Sequence, residues 1–249
     1  MGGTLAEAVA KTDKNIALAD INTELRDGLA KKLGCAVGDS INIAENSRFI
    51  VLGVKPQVLP KVLEEIRPVL ENRKDDYTVI SMAAGVKLEK IGSKKTIRIM
   101  PNLAAKAGKA VILYSVTDAV TKKDISDFEE GFKAAGYFEP IREQLMDAGS
   151  AISGCGPAFV FMFIEALADG GVKAGLPRDV ALRLACETAE GSAATVLKTG
   201  LHPEVLKDAV CSPAGSTIEG VKALEDGAFR SDIIDAVTAS FDRTAELGK

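Results

Sequence analysis

The stretch Phe49-Ile50-Val51-Leu52-Gly53-Val54-Lys55-Pro56 is a continuous apolar run closed by a turn that carries a cation and a proline. Behind it, Val58, Leu59, Val62, Leu63 and Ile66 recur at helical spacing. A strand apolar on successive residues predicts burial on both faces, as in a mainly parallel sheet covered by helices. Residues 16–19, 78–83, 97–100 and 111–114 repeat the signal. Between them, Leu25, Leu29 and Leu33 mark a helix that Gly34 can terminate, and Ile125, Phe128 and Phe132 mark another that ends at Gly136. This α/β rhythm predicts a doubly wound sheet.

Past residue 146 the strand signals stop, and helix follows helix with breaks at Pro157, Gly175-Leu176-Pro177, 200–203, Ser212-Pro213 and Gly227. The chain therefore divides into an α/β domain, 1–145, and an all-α domain, 146–249. Helices as rich in small residues as 181–194 offer few large side chains for a core, which predicts that this domain is completed by a second copy.

Acidic residues outnumber basic ones by 35 to 31, and the lysines and arginines are scattered, so no nucleic-acid footprint is present. The longest apolar runs, 49–54 and 159–164, are short of a bilayer span, and residues 1–20 lack a signal-peptide layout. A soluble cytoplasmic chain with no membrane partner is expected. Cys35, Cys155, Cys186 and Cys211 are widely spaced without C-x-x-C and read as free thiols, with no metal site.

Met1-Gly2-Gly3-Thr4-Leu5-Ala6 opens a helical pattern with no apolar strand before it. A Rossmann-like dinucleotide fold needs a strand, a G-x-G-x-x-G turn and a helix whose N-terminus faces the pyrophosphate. Asp20 ends a strand where an acidic residue would accept the adenosine ribose hydroxyls, or would cap the next helix with Asn22 or Thr23. Val54, Lys55 and Pro56 end another strand, with Pro56 expected in the first helical turn, and 81–85 and 100–102 end two more at the same edge.

In the helical half, Val210-Cys211-Ser212-Pro213-Ala214-Gly215-Ser216-Thr217 places hydroxyls and approachable amides just before a helical pattern. A helix start has N–H groups without intrahelical partners and partial positive charge, so a small carboxylate can bind there. On local chemistry alone, ordinary capping is the commoner reason for these residue types.

Val54-Lys55-Pro56-Gln57, Ser81-Met82-Ala83-Ala84-Gly85-Val86, Arg98-Ile99-Met100-Pro101-Asn102, Ser153-Gly154-Cys155-Gly156-Pro157-Ala158 and the segment 212–217 stand in this order. As an ordered set they closely resemble the pyrroline-5-carboxylate reductase family over essentially the whole chain. The resemblance implies hydride transfer from NADPH or NADH to the C=N bond of 1-pyrroline-5-carboxylate, giving L-proline. It implies a cofactor site at Met1, Gly2, Asp20, Val54, Lys55, Pro56, Ala84, Gly85 and Asn102. The substrate cradle would be Val210, Ser212, Gly215, Ser216 and Thr217, with the Thr217 hydroxyl facing the ring nitrogen as the catalytic group. It also implies a homodimer through the C-terminal helices, extending in some members to a ring of dimers.

Against this family, the first strand and the first glycines of the phosphate turn are absent, Met1-Gly2 standing for the turn's last two positions. Such a strand is central, and its loss would cost many kcal/mol against a total stability of ~5–15. The expectation is a start assigned to an internal Met, or else weakened cofactor binding. Leu103-Ala104 stands where the family usually has Thr-Pro, and Ala214 where it often has glycine. Asp20-Ile21, in place of a polar or basic pair, points to NADH.

His202, the only histidine, reads as a helix-entry residue, Cys211 as a spacer, and Glu129-Glu130 and Lys122-Lys123-Asp124 as solvated helix faces. Two alternatives stay open. One is a related Rossmann-type reductase of another small acid, with Lys173 as a mid-helix general base. The other is a non-catalytic oligomeric paralogue without the phosphate-binding turn.

Overall fold

Each strand expected from an apolar run is present in the computed structural model, which describes residues 1–13 and 15–247. The order is α1 (Gly2–Val9), β1 (Ala17–Leu18), α2 (Thr23–Leu33), β2 (Ala36–Val37), α3 (Ser40–Asn46), β3 (Phe49–Leu52), α4 (Leu59–Asn72), β4 (Thr78–Ser81), α5 (Leu88–Ile91), β5 (Thr96–Met100), β6 (Ala110–Val116), α6 (Lys122–Phe132) and β7 (Gly136–Pro140). Helices follow: α7 (Met146–Ser153), α8 (Gly156–Lys173), α9 (Arg178–Thr199), α10 (Pro203–Val210), α11 (Ser216–Asp226) and α12 (Phe229–Leu247). Two compact units result, Met1–Gly154 with Ser240–Lys249, and Cys155–Ala239.

In the first unit, β1 and β2 form a small parallel pair, while the larger sheet runs β3-β4-β5-β6-β7. Side chains alternate across that sheet. Ile80, Ile97, Ile99 and Ile112 pack against Leu5 and Ala8 of α1 and Phe128 and Phe132 of α6. Ile50, Leu52 and Val79 pack against Leu59, Leu63, Ile66 and Leu70 of α4. Val79 and Ile80 are adjacent and both fully buried, in different clusters, so both faces are covered as expected. Burying each such side chain is worth ~1.5–3 kcal/mol.

The sheet is not parallel throughout: β5 and β6 pair antiparallel, Ile97 opposite Val116 and Met100 opposite Leu113. The short connector 101–109 holds only a 3-10 turn, and a parallel crossover needs a dozen or more residues. Two strands give no apolar-run signal, the two-residue β2 and the half-exposed β7. Gly136 opens β7 at φ 149°, where a Cβ would lie 2.1 Å from the Ala110 carbonyl oxygen.

Gly34, in the left-handed conformation, ends α2 as expected. At α6 the expected solvated face is wrong at two residues, and the first, Asp124, is 2% exposed. Its carboxylate accepts from the Thr121 amide at 2.9 Å and hydroxyl at 2.7 Å, while the Thr121 hydroxyl accepts from the Asp124 amide, a complete capping box. Lys95 Nζ adds a 3.0 Å contact. Glu129 also differs from expectation, accepting from the Tyr114 hydroxyl at 2.8 Å; burial and this carboxylate push the phenol above its ordinary range.

Helix α7 belongs to the first unit, with Met146 and Ala151 fully buried, so the change in sequence character at 146 precedes the division between units at Gly154. In the second unit α8 and α9 meet through Ala168, Ala181 and Ala185, a core of small residues. Phe161, Met162, Leu182, Leu184, Leu197 and Val205 remain exposed. The expectation that no segment has the length and apolarity of a membrane span also needs correction: Glu143–Lys173 reaches both, at a mean hydropathy of 1.7 over its most apolar window. Only 17% of that window is buried, and the stretch crosses the division between the units.

Burial alone would raise the Asp124 carboxyl, but the Thr121 and Lys95 hydrogen bonds outweigh it and hold the group at about 2. Its stabilisation is therefore present above the unfolded carboxyl pKa of about 3.9 and is lost as pH falls through about 2. Asp124→Asn should lower the unfolding free energy by ~1–2 kcal/mol at pH 7, with the gap to wild type closing towards pH 2; urea unfolding across pH tests this.

Candidate active site

In the first unit Val54, Lys55, Pro56, Ala84, Gly85 and Asn102 follow the carboxyl ends of β3, β4 and β5, whereas Asp20 follows β1 of the smaller sheet. Helix α1 starts against the end of β3: a Cβ on Gly53 would lie 3.2 Å from Gly2 Cα. That is tight for any side chain at 53, whereas a Cβ on Gly2 would meet Gly53 Cα at an ordinary 3.5 Å. Met1 is the N-cap and contributes no side-chain cap, so the first-turn amides of Gly2, Gly3 and Thr4 lack intrahelical acceptors. Lys55 is exposed and its carbonyl accepts from the Val58 and Leu59 amides at 2.9 and 3.2 Å, closing a turn before α4. Pro56 therefore lies in this turn, not in the first helical turn as expected, which Pro60 occupies. Val54 is half-buried beneath it.

Beyond β4, the Val86 amide donates to the Ala83 carbonyl at 3.3 Å, and Gly85 sits at φ 72°. That turn leaves Ala84 exposed beside a residue free of any side chain. At the end of β5, Asn102 is 7% exposed. Its Nδ2 donates to the Ser153 carbonyl at 2.8 Å and its Oδ1 accepts from the Ala104 amide at 3.1 Å. Both ends of the amide group thus have partners within the protein, and the Asn102 carbonyl accepts from the Ala105 amide at 3.2 Å.

Asp20 is exposed after β1 and accepts from the Asn22 amide at 2.9 Å. Asn22 itself caps α2 through the Leu25 amide at 3.0 Å, so Asp20 keeps a free carboxylate oxygen. A backbone-only seat at Gly2 and Gly53, uncapped amides and this carboxylate fit a dinucleotide's pyrophosphate and ribose.

In the second unit, α10 ends at the exposed Val210, and the loop 211–215 turns into α11. The Gly215 amide donates to the Ser212 carbonyl at 3.0 Å. Ala214 adopts φ 56°, a left-handed conformation that costs a non-glycine residue ~1–2 kcal/mol and explains why glycine would suit this position. Gly215 is the N-cap of α11 without any side-chain cap, so the Ser216, Thr217 and Ile218 amides are open to a ligand. Ser212, Ser216 and Thr217 are exposed around them. From α12, Arg230 reaches Glu204 of α10 at 2.8 Å and Glu225 of α11 at 2.6 Å, bracing the helices that flank the loop.

His202 caps α10, its Nδ1 accepting from the Glu204 amide, the helix-entry role expected. Cys211 is a half-buried free thiol. Lys173 is the last residue of α8, not a mid-helix base. Arg98 and Glu143, absent from the expected site, form an ion pair of 3.1 Å behind the β5 end. The signal was available in Thr96-Ile97-Arg98-Ile99-Met100, where an arginine interrupts an apolar strand and so needs a buried partner.

Residues 143–247 match the family described as pyrroline-5-carboxylate reductase dimerisation, and residues 1–85 match NADP oxidoreductase coenzyme F420-dependent. A pyrroline-5-carboxylate reductase of Arabidopsis thaliana is 39% identical over 99% of this chain and 90% of its own length. The crystal structure of the Plasmodium falciparum pyrroline carboxylate reductase with NADP bound aligns at a TM-score of 0.86 and 31% identity, covering 100% of this chain and 96% of that one. The Coxiella burnetii pyrroline-5-carboxylate reductase aligns at 0.90 and 30% identity with the same coverage.

A Cβ on Gly215 would fall 2.3 Å from Ser212 Oγ and 3.1 Å from the Ser212 carbonyl oxygen. The exposed Ser212 hydroxyl can rotate away, so Gly215→Ala should destabilise the protein by less than ~1 kcal/mol, set by the 3.1 Å approach to the Ser212 carbonyl, and adding Ser212→Ala should change thermal unfolding little further.

Proposed function

This chain belongs to the pyrroline-5-carboxylate reductase family, and we propose that it reduces 1-pyrroline-5-carboxylate to L-proline at the uncapped start of α11, the last step of proline synthesis. The single observation that carries the placement is that α11 begins with open amides beside Ser212 and Thr217 and no side chain of its own as a cap. A carboxylate accepts from those amides without any arginine.

The Ser216 and Thr217 amides hold the substrate carboxylate, with the Ser212 hydroxyl alongside and Val210 and Gly215 shaping the approach. The Thr217 hydroxyl then meets the ring nitrogen and fixes the face of the imine. Protonated, that C=N bond is already electrophilic, so orientation supplies much of the catalysis and no nucleophile is required. When bound, reduced NAD(P)H delivers a hydride to the imine carbon; the electron pair of the C=N π bond passes to nitrogen, leaving the secondary amine of proline.

On the cofactor side, the Gly2 and Gly3 amides receive the pyrophosphate near Met1, and Val54, Lys55 and Pro56 border the dinucleotide. Ala84 and Gly85 leave room for the nicotinamide ring above the Asn102 backbone. Asp20, followed by the exposed Ile21, offers a 2′-hydroxyl an acceptor and a 2′-phosphate a like charge, which favours NADH. Homo-oligomerisation is supported by the dimerisation family match and the small-residue core of the second unit. A dimer, assembled in some conditions into a ring, covers the apolar α8 surface in a soluble cytoplasmic enzyme without a membrane partner.

Purified protein should oxidise NADH faster than NADPH, and only when pyrroline-5-carboxylate is present; absence of turnover with both would refute the assignment. Thr217→Ala should lower kcat roughly tenfold to a hundredfold with little change in thermal midpoint, since Thr217 is exposed. Unchanged turnover would remove Thr217 from its role.

A further inference from the structure

The turn holding Ala84 and Gly85 leads directly into α5, and the strand carrying Arg98 leads directly into Met100-Pro101-Asn102. Behind both lies one carboxylate. Glu143 Oε1 accepts from the Leu88 amide, the first residue of α5, at 2.7 Å, and from Arg98 at 3.1 Å. Arg98 is 3% exposed, and its second terminal nitrogen is 3.7 Å from Asp147 Oδ1. The α5 N-cap, Lys87, supplies no side-chain cap, so Glu143 takes that duty from a distant part of the chain. A buried arginine fixed this way costs desolvation and is retained without a clear gain in stability, which argues for a duty in geometry.

We propose that Glu143 is a positioning residue for the reduced dinucleotide, its one oxygen setting the spacing between the Ala84-Gly85 turn and the Met100–Asn102 segment. The inference rests on the placement of the nicotinamide between these two segments in the functional reading above. Arg98 neutralises the carboxylate and couples it to β5, while Asn102 ties the far end of the same segment to Ser153. Loss of Glu143 frees the start of α5 and shifts Gly85 relative to Asn102, loosening the seat of the ring.

The test is fluorescence titration of NADH into wild type, Glu143→Gln, Glu143→Ala and the double variant Arg98→Met/Glu143→Leu, each with its thermal midpoint. The Gln variant keeps a neutral acceptor and should bind within about twofold of wild type. The Ala variant leaves Leu88 uncapped, and its Kd should rise about fivefold, the loss of one helix cap. In the double variant both partners of the 3.1 Å pair are gone, and only the more distant, partly exposed Asp147 loses a cation, so the thermal midpoint should rise from that of the Ala variant towards wild type while the Kd stays raised. Recovery of both together, or an Ala variant that binds like wild type, would overturn the proposal. Wild-type protein that binds neither NADH nor NADPH would instead overturn the functional reading beneath it.

Discussion

Burial of both faces of one sheet is the constraint from which the rest of the first unit follows. Val79 and Ile80 are neighbours on β4, both inaccessible to solvent, and each anchors a different hydrophobic cluster. A sheet filled with carbon on both sides makes polar groups without partners costly along its strands. Ligand-facing chemistry is thereby driven to the ends, where the backbone leaves β3, β4 and β5 and small residues hold the turns open. Arg98 is the one charged residue in the middle of those strands; Glu143 pairs with it at 3.1 Å and Asp147 lies at 3.7 Å, while its Nε is left buried without a hydrogen bond.

Periodicity carried much of this. The run 49–54 and its four companions are strands, Gly34 caps α2, and His202 caps α10, because apolar patterning and local capping are properties of a few adjacent residues. What was illegible depended on partners far away in the chain. Asp124 sits in a run of charges that looks solvated, yet Lys95 and Thr121 make it a buried cap. Nothing in β7 marks it as a strand, since its pairing with β6 is supplied by the sheet and by the close approach of Gly136 to Ala110. The reversal between β5 and β6 was readable in principle, from a connector too short to cross over.

The cradle shows the same division. Its residue types were evident in 212–217, but the sequence does not reveal that Ala214 is held in a left-handed conformation or that Ser212 crowds Gly215. The left-handed Ala214 turns the chain into α11 at the cost of local strain, and Ser212 lies close enough that a side chain at 215 would displace it. Asn102 makes the opposite point: its position at a strand end was legible, whereas the commitment of both ends of its amide group to Ser153 and Ala104 was not.

Helix α12 starts in the helical unit, and its last turns, Ser240 onward, are grouped with the α/β unit. The α/β unit is therefore discontinuous in sequence, interrupted by the whole of Cys155–Ala239. Closing a disordered segment of that length costs about 4 kcal/mol in chain entropy. Folded into helices, the same segment no longer carries that cost. The entropy of closing the α/β unit is therefore coupled, through the connectivity alone, to the ordering of the helices inserted into it.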